Sequence, residues 1–409
     1  MALLESSTLD KQQLETWLVR AALRGEPVED LLAGFCDRLQ EEGVPLARGH
    51  IALAALHPLI RARSFTWEQD LGSVDNEAMP HRAPNEESQA WLESPFRHML
   101  LNDIEHLHRP LAGPRAQRDF PVLEEFAALG YTDWLAYAFG FGWVMEHMPV
   151  TARMAEIGMV CSFSTTRPGG FSAAELARLN RLLPHLALAV KAIAMAATTR
   201  DVMAAYLGED AARHVLSGEI RRGMAHKVEA GILYADLRGF TALADRLAIE
   251  PLVETLNAYF DCLGPAITAE GGQVLKFLGD GLLASFQLNG DAQPDRLCQA
   301  ALRAAECGLK NVAALNADRS GRGLPVLQLD IALHLGTLMY GNVGTAERLD
   351  FTLIGPAVNE AARIENLCSA LDRSLLASDS FAACVGGKLQ SLGHHVLRGV
   401  AEKREIFGR

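Results

Sequence analysis

Apolar positions recur at helical spacing near the start of the chain and then give way to shorter, denser runs. Leu14, Trp17, Leu18 and Ala21 fall on one face, and Leu31, Leu32, Phe35 and Leu39 on another. Gly25-Glu-Pro27 separates them, so residues 9–42 are expected to form two helices. Strand-like runs follow at His50–His57, Leu59–Trp67, Phe96–Leu101, Tyr131–Phe139 and Met154–Thr165. A Pro- and acid-rich loop is expected over 72–88 and a helix near 119–129. Arg167-Pro-Gly-Gly170 reads as a turn. Ser172-Ala-Ala-Glu175 is a capping box that opens a long helix to about residue 197.

From Thr198 to about His226 the sequence turns polar and helical, which suits a linker that transmits a rotation or merely tethers. Beyond it, strands and helices alternate. Strands are expected at Val228–Asp236, Gly272–Leu278, Leu282–Gln287, Leu327–Leu335, Leu338–Val343 and His394–Leu397, with a last one near Glu405–Phe407. Helices are expected at Ala242–Leu247, Pro251–Glu270, Ala292–Ala317, Pro356–Leu367 and Asp379–Val385. The pattern gives an α+β fold of ferredoxin-like character over 227–409, preceded by a mixed α/β domain over 1–197 and a linker over 198–226.

Composition narrows the partners. The 409 residues are 49% apolar and 22% charged, ordinary globular values. A formal net charge of −12 argues against a general nucleic-acid-binding surface, so any polyanionic substrate must meet local basic groups. Seven cysteines form no C-x-x-C pair, which indicates neither a zinc site nor a disulfide framework. The N-terminus becomes charged too early for a secretory signal. The apolar stretch Leu182–Ala197 is interrupted by His185 and Lys191 and falls short of a membrane span, so a cytoplasmic protein is expected. His106 and His108, near Trp91, read as surface or core histidines before haem or metal ligands.

The chemistry gathers in the C-terminal half. Asp236 ends an apolar strand, and the following Leu-Arg-Gly-Phe240-Thr241 can turn backbone amides toward a phosphate. Alone, an aspartate at a strand–helix junction is most often a helix cap. Asp280, in Leu-Gly-Asp-Gly-Leu, reads alone as a hairpin turn. Lys276 interrupts an apolar strand, where it either snorkels or binds something. In Thr352-Leu-Ile-Gly-Pro-Ala-Val-Asn359-Glu-Ala-Ala-Arg363, Pro356 suits a first helical turn. Asn359 and Arg363 then share one helix face, suited to ribose and phosphate or simply to water. Arg398 stands beside Gly399.

In this order and spacing the stretches Tyr234–Thr241, Lys276–Asp280, Phe351–Arg363 and Leu397–Gly399 resemble the class III nucleotide cyclase catalytic domain. The resemblance implies that Asp236 and Asp280 bind two Mg²⁺ or Mn²⁺ ions per site. It implies that Lys276 and Thr352 read the purine, Asn359 positions the ribose, Arg363 stabilises charge on the reacting phosphate and Arg398 holds the terminal phosphates. Phe240 and Thr241 would lie against the substrate. Family sites form at a head-to-tail dimer interface, so a homodimer is implied. The reaction is attack of the 3′-hydroxyl on the α-phosphorus of ATP, giving cyclic AMP and pyrophosphate. Lys276 is donor-only and suits adenine, whereas family guanylate cyclases carry Glu at that position.

Thr352 stands where many members carry Asp, as in a subclass that is in some cases stimulated by bicarbonate. Pro356 replaces a frequently acidic residue, and Arg398 replaces Lys with retention of charge. No Gly-Gly-Asp/Glu-Glu-Phe run occurs at the hairpin, which disfavours diguanylate cyclase chemistry. A nucleotide-binding protein without turnover and a guanylate cyclase are the alternatives. By element order, residues 1–197 look like a GAF-type sensor with an unknown small-molecule or cofactor ligand; the bland alternative is a ligand-free dimerisation module.

Overall fold

The structure is a computed structural model that describes residues 13–71, 73–81, 86–144, 156–287, 293–400 and 402–409. The chain divides into two compact units, Met1–Val202 and Met203–Arg409.

The N-terminal unit begins with α1 (Leu14–Arg24) and α2 (Val28–Glu41), split at Gly25 in the left-handed region, as the sequence pattern predicts. Its sheet has the order β3-β2-β1-β6-β5-β4 and is antiparallel at every pairing. The strands are β1 (Arg48–Ala54), β2 (Ile60–Glu68), β3 (Val74–Pro80), β4 (His106–Pro110), β5 (Asp133–Val144) and β6 (Glu156–Thr165). The short α3 (Gln89–Leu92) precedes α4 (Pro95–Leu101), and α5 (Pro121–Ala128) lies between β4 and β5. The long α6 (Ala173–Leu207) follows β6. Alternation on β5 feeds two cores. Leu135 and Tyr137 join α1, α2 and α6, while Trp134, Ala136 and Ala138 join α4 and α5 on the other face.

Four expectations for this unit are corrected. Phe96–Leu101 is the helix α4 rather than a strand. Ser94 caps it by accepting from the Phe96 and Arg97 amides, and Pro95 occupies the first turn. Within the expected loop 72–88 lies a strand, β3, whose acidic and proline residues belong to the edge of a sheet and hide its periodicity. The capping box forms, with the Ser172 amide donating to Glu175 at 2.7 Å, but the helix runs on to Leu207 instead of ending near 197. That helix is also long and apolar enough to cross a membrane by length and composition, against the expectation that its apolar run falls short. Leu179, Leu182, Leu183, Leu186 and Val190 of this helix are fully buried in the core of the N-terminal unit, while Leu188 is exposed. Residues 9–12, 72, 82–85, 154–155 and 292 of the expected elements lie outside the described residues.

The C-terminal unit takes in the last residues of α6, after which Gly208 at φ 85° leads into α7 (Glu209–Leu216). Its sheet has the order β13-β14-β12-β10-β7-β9-β8, with β11 also on β10. The strands are β7 (Ala225–Leu237), β8 (Gln273–Leu278), β9 (Gly281–Gln287), β10 (Leu329–Gly344), β11 (Leu349–Ile354), β12 (Leu375–Ser378), β13 (Gln390–His395) and β14 (Arg404–Gly408). The helices are α8 (Phe240–Ala244), α9 (Ile249–Ala269), α10 (Pro294–Gly321), α11 (Pro356–Glu365), α12 (Cys368–Leu371) and α13 (Asp379–Cys384). Helices α9 and α10 cover one sheet face through Tyr259, Leu263, Ala301 and Leu302, and α11 packs on the other through Ala357 and Ala361. The unit is α+β, as expected.

The sequence pattern breaks 327–343 into two strands at Gly336, whereas β10 runs through it. Gly336 is there for closeness, not for a turn. A β-carbon on it would stand 2.7 Å from the Ala357 β-carbon and 2.8 Å from the His334 ring. Gly336→Ala is therefore expected to overpack the α11 contact and cost about 1–3 kcal/mol, read as a fall in Tm. Strands β11 and β12 were not foreseen.

Candidate active site

Strand β7 carries Asp236 to the end of the sheet, directly opposite Asp330 on β10. On its other side β9 pairs with β7 up to Ala235↔Leu282, which sets the β8–β9 turn beside Asp236. That turn pairs Leu278 with Gly281 across Gly279-Asp280, and Gly279 at φ 71° supplies the left-handed residue a two-residue hairpin needs. Two features far apart in sequence thus bring two carboxylates together.

Asp236 accepts from the Leu237 amide at 2.8 Å and lies within hydrogen-bonding reach of Asp280. Burial, then Asp280, then Glu365 raise the Asp236 carboxyl to about 7. Glu365, at the end of α11, is pushed up to about 7 by burial and by Asp330 and Asp280. The strongest charges acting on Asp236 are therefore acidic. Such a focus of negative charge and oxygen donors fits hard divalent cations. The buried Tyr259 hydroxyl has no hydrogen-bond partner among the described residues, and burial and these same carboxylates push it upward.

Arg238, in the turn after β7, is engaged elsewhere. It makes a forked pair with the buried Asp330 at 2.7 and 2.8 Å and donates to the Arg373 carbonyl at 3.2 Å. It fastens the end of β7 to the start of β10. Gly239 (φ 75°) then turns the chain into α8, where Phe240 packs partly into the core and Thr241 is exposed.

A second group forms around Lys276, whose ammonium pairs with Asp350. Both side chains are about half exposed (43% and 47%), so the pair adds little stability and matters for where the ammonium sits. Thr352 is two residues from Asp350 on β11 and shares its face. On α11, Asn359 and Arg363 lie one turn apart, as expected from the spacing. The Arg363 guanidinium reaches 3.5 Å from where a β-carbon on Gly399 would stand, so the Arg398-Gly399 turn lies against it. Arg398 itself is exposed. Among the described residues no hydrogen bond or ion pair joins the Lys276 or Arg363 group to the Asp236–Asp280 pair. Within one chain the candidate residues are thus not tied into a single hydrogen-bonded group.

Sequence reasoning missed Glu365, Asp330 and Asp350. Glu365 stands two residues past Arg363 on a helix already singled out. Asp350 was invisible because β11 was not recognised.

Residues 224–388 match the family described as the adenylate and guanylate cyclase catalytic domain. The C-terminal unit carries a class III nucleotide cyclase domain. Over 165 residues the chain is 34% identical to an adenylate cyclase of Anabaena cylindrica, covering 39% of this chain and 32% of that one. It is 30% identical over 167 residues to adenylate cyclase 1 of Rhizobium meliloti (strain 1021), covering 41% of this chain and 25% of that one. The chain therefore spans a third or less of the length of these curated relatives. Among solved structures, the adenylyl cyclase CyaB from P. aeruginosa is similar at 25% identity and a TM-score of 0.41, over 45% of this chain and 94% of that one.

Proposed function

We propose that this protein is an adenylate cyclase that converts ATP to 3′,5′-cyclic AMP and pyrophosphate in a homodimer, under control of its N-terminal unit. The observation that carries the reading is the meeting of Asp236 and Asp280, with the charge of Glu365 acting on both, at the end of the sheet. Two Mg²⁺ or Mn²⁺ ions on that pair would neutralise the phosphates and activate the ribose hydroxyl.

The other groups suit the nucleotide. Lys276 gives one N–H to Asp350 and keeps others for an acceptor on the adenine ring, while the Thr352 hydroxyl can accept from the amino group. Asn359 would orient the ribose. Arg363, with the Arg398 turn against it, would meet charge growing on the phosphates. That no direct bond ties these residues together within one chain is consistent with a site completed by a second subunit.

One observation favours guanine instead: Asp350, beside Lys276, offers an acidic acceptor of the kind the N1–H and amino group of guanine need. Assay of the purified full-length protein with ATP and GTP, each with Mg²⁺ and Mn²⁺, tests the proposal. Cyclic AMP as the main product is expected; absence of any cyclic nucleotide overturns it. Lys276→Glu should lower kcat/KM for ATP about 10- to 100-fold, the value of a charge-assisted hydrogen bond, and narrow the preference over GTP.

In the N-terminal unit a cavity of about 260 Å³ lies between the sheet and helices α4 and α5, lined by Arg48, His50, Phe96, Phe126, Trp134 and Ser162. Burial and the neighbouring Arg48 drop His50 to about 3, so its ring is neutral. A partly open cavity with a guanidinium, a neutral imidazole and three aromatic rings supports a small-molecule sensing role. His106 and His108 are already engaged, His106 against Tyr137 and His108 with Asp133 at 2.8 Å. An absorption spectrum of the full-length protein tests for a haem or flavin.

A further inference from the structure

Between α7 and β7 the chain gathers groups that the cyclase reading does not use. His214 lies near the end of α7, Glu219 in the following turn and His226 at the start of β7. The Glu219 carboxylate accepts from the His214 ring (Nδ1) at 3.0 Å and from the His226 ring (Nε2) at 2.9 Å. One ligand atom from each of the three lies within 4.8 Å of the others.

The surroundings hold these groups in place. His214 stacks on Phe351 with ring centroids 5.4 Å apart and meets the edge of Tyr340 at 5.9 Å. The Asn342 side chain donates to the Glu219 carbonyl at 2.6 Å, and its backbone receives the Gly223 amide and donates to Met224. The turn bearing Glu219 is thus tied down at both ends. Behind His214, the buried Asp210 carboxylate stands 3.7 Å from the ring's other nitrogen and also pairs with Arg213.

We propose that His214, Glu219 and His226 form a binding site for a borderline divalent transition-metal ion such as Zn²⁺, with Asp210 as a positioning residue behind His214. Two imidazoles and a carboxylate are the donors that Zn²⁺ takes at about 2.0–2.2 Å, which places tetrahedral ligands roughly 3.4 Å apart. The two hydrogen-bonded separations, 2.9 and 3.0 Å, are a few tenths of an ångström short of that value, and no two of the three ligand atoms stand more than 4.8 Å apart. Binding needs no net loss of a proton from neutral rings. The proton on the His214 nitrogen facing Glu219 moves to the nitrogen facing Asp210, giving the carboxylate–histidine–metal arrangement that fixes ring orientation. The His226 proton moves to its outward nitrogen. This site differs from the catalytic pair in place and in chemistry. His226 and Asp236 lie at opposite ends of β7, roughly 30 Å apart along the strand. Imidazole selects Zn²⁺ or Co²⁺, whereas the all-oxygen set at Asp236 and Asp280 selects Mg²⁺ or Mn²⁺. An ion there would fasten α7, through His214, to the strand that leads to the catalytic carboxylates.

The test is titration of metal-free full-length protein with Co²⁺, followed by its visible d–d absorption and by competition with Zn²⁺. One Co²⁺ per chain with an intense, four-coordinate spectrum is expected, displaced by Zn²⁺ but not by excess Mg²⁺. Glu219→Gln keeps an oxygen acceptor for one ring and offers its amide N–H to the unprotonated nitrogen of the other, so it should fold normally, yet it should lose this spectrum, as should His214→Ala. Asp210→Asn should keep the spectrum and weaken binding about 10- to 100-fold. Wild-type protein without the spectrum, or Glu219→Gln and His214→Ala variants that bind as the wild type does, would overturn the proposal and leave a hydrogen-bonded His–Glu–His clasp.

Discussion

Replacing Asp236 or Asp280 by alanine is expected to lower kcat for cyclic AMP formation by at least about 10²–10³, with the fold intact. The magnitude is that of removing one preorganised electrostatic contact to a transition state, and loss of a cation ligand should fall at or beyond its upper end. The fold should survive because the two carboxylates are not holding it together. Asp236 is raised by burial, by Asp280 and by Glu365, so the ionised cluster works against the folded state until a cation binds. Asp236→Asn should therefore leave Tm unchanged or raise it while activity is lost. A variant that lost activity only in proportion to a large fall in Tm would show a structural aspartate instead. Chelation of the wild type should mimic the substitution, and added Mn²⁺ or Mg²⁺ should restore the wild type but not Asp236→Ala.

Arg363→Ala is expected to cost a similar factor in kcat with a smaller change in KM, because the charge it answers grows during the reaction. The more telling experiment mixes two inactive proteins. Asp236→Ala and Arg363→Ala subunits, refolded together, give heterodimers in which one site carries both defects and the other neither, if each site draws on both chains. Random pairing then restores about a quarter of the wild-type activity. If each site were built within one chain, every site would keep one defect and the mixture would stay inactive. The first outcome is the one expected from the proposed homodimeric site. Arg363 lies against the Gly399 turn and Lys276 against Asp350, while Asp236 and Asp280 face acids.

Much of the local structure was legible because its causes are local. Gly25 and Pro27 ended and began helices, Ser172 and Glu175 capped one, and the glycine before Asp280 made a hairpin turn. The misreadings share a different physics. Phe96–Leu101 has no period to separate strand from helix, and only the Ser94 cap and Pro95 decide it. Gly336 looked like a break because the helix that crowds it is remote in sequence. Strand β3 is polar because an edge strand has little to bury.

The sequence by itself determined the identity and order of the candidate groups: two aspartates at strand ends, a lysine in an apolar strand, and an amide and guanidinium one helical turn apart. Backbone spacing fixes those relations wherever the elements fall. Only the tertiary structure decided which groups meet, because that depends on strand order and register. The pairing of β7 with β9 and β10 set Asp236 beside Asp280 and opposite Asp330. The packing of α11 added Glu365, and the pairing of β11 brought Asp350 to Lys276. The same folding drew His214, Glu219 and His226 into one cluster that no spacing rule announces, since a helix end, a turn and a strand each supply one group.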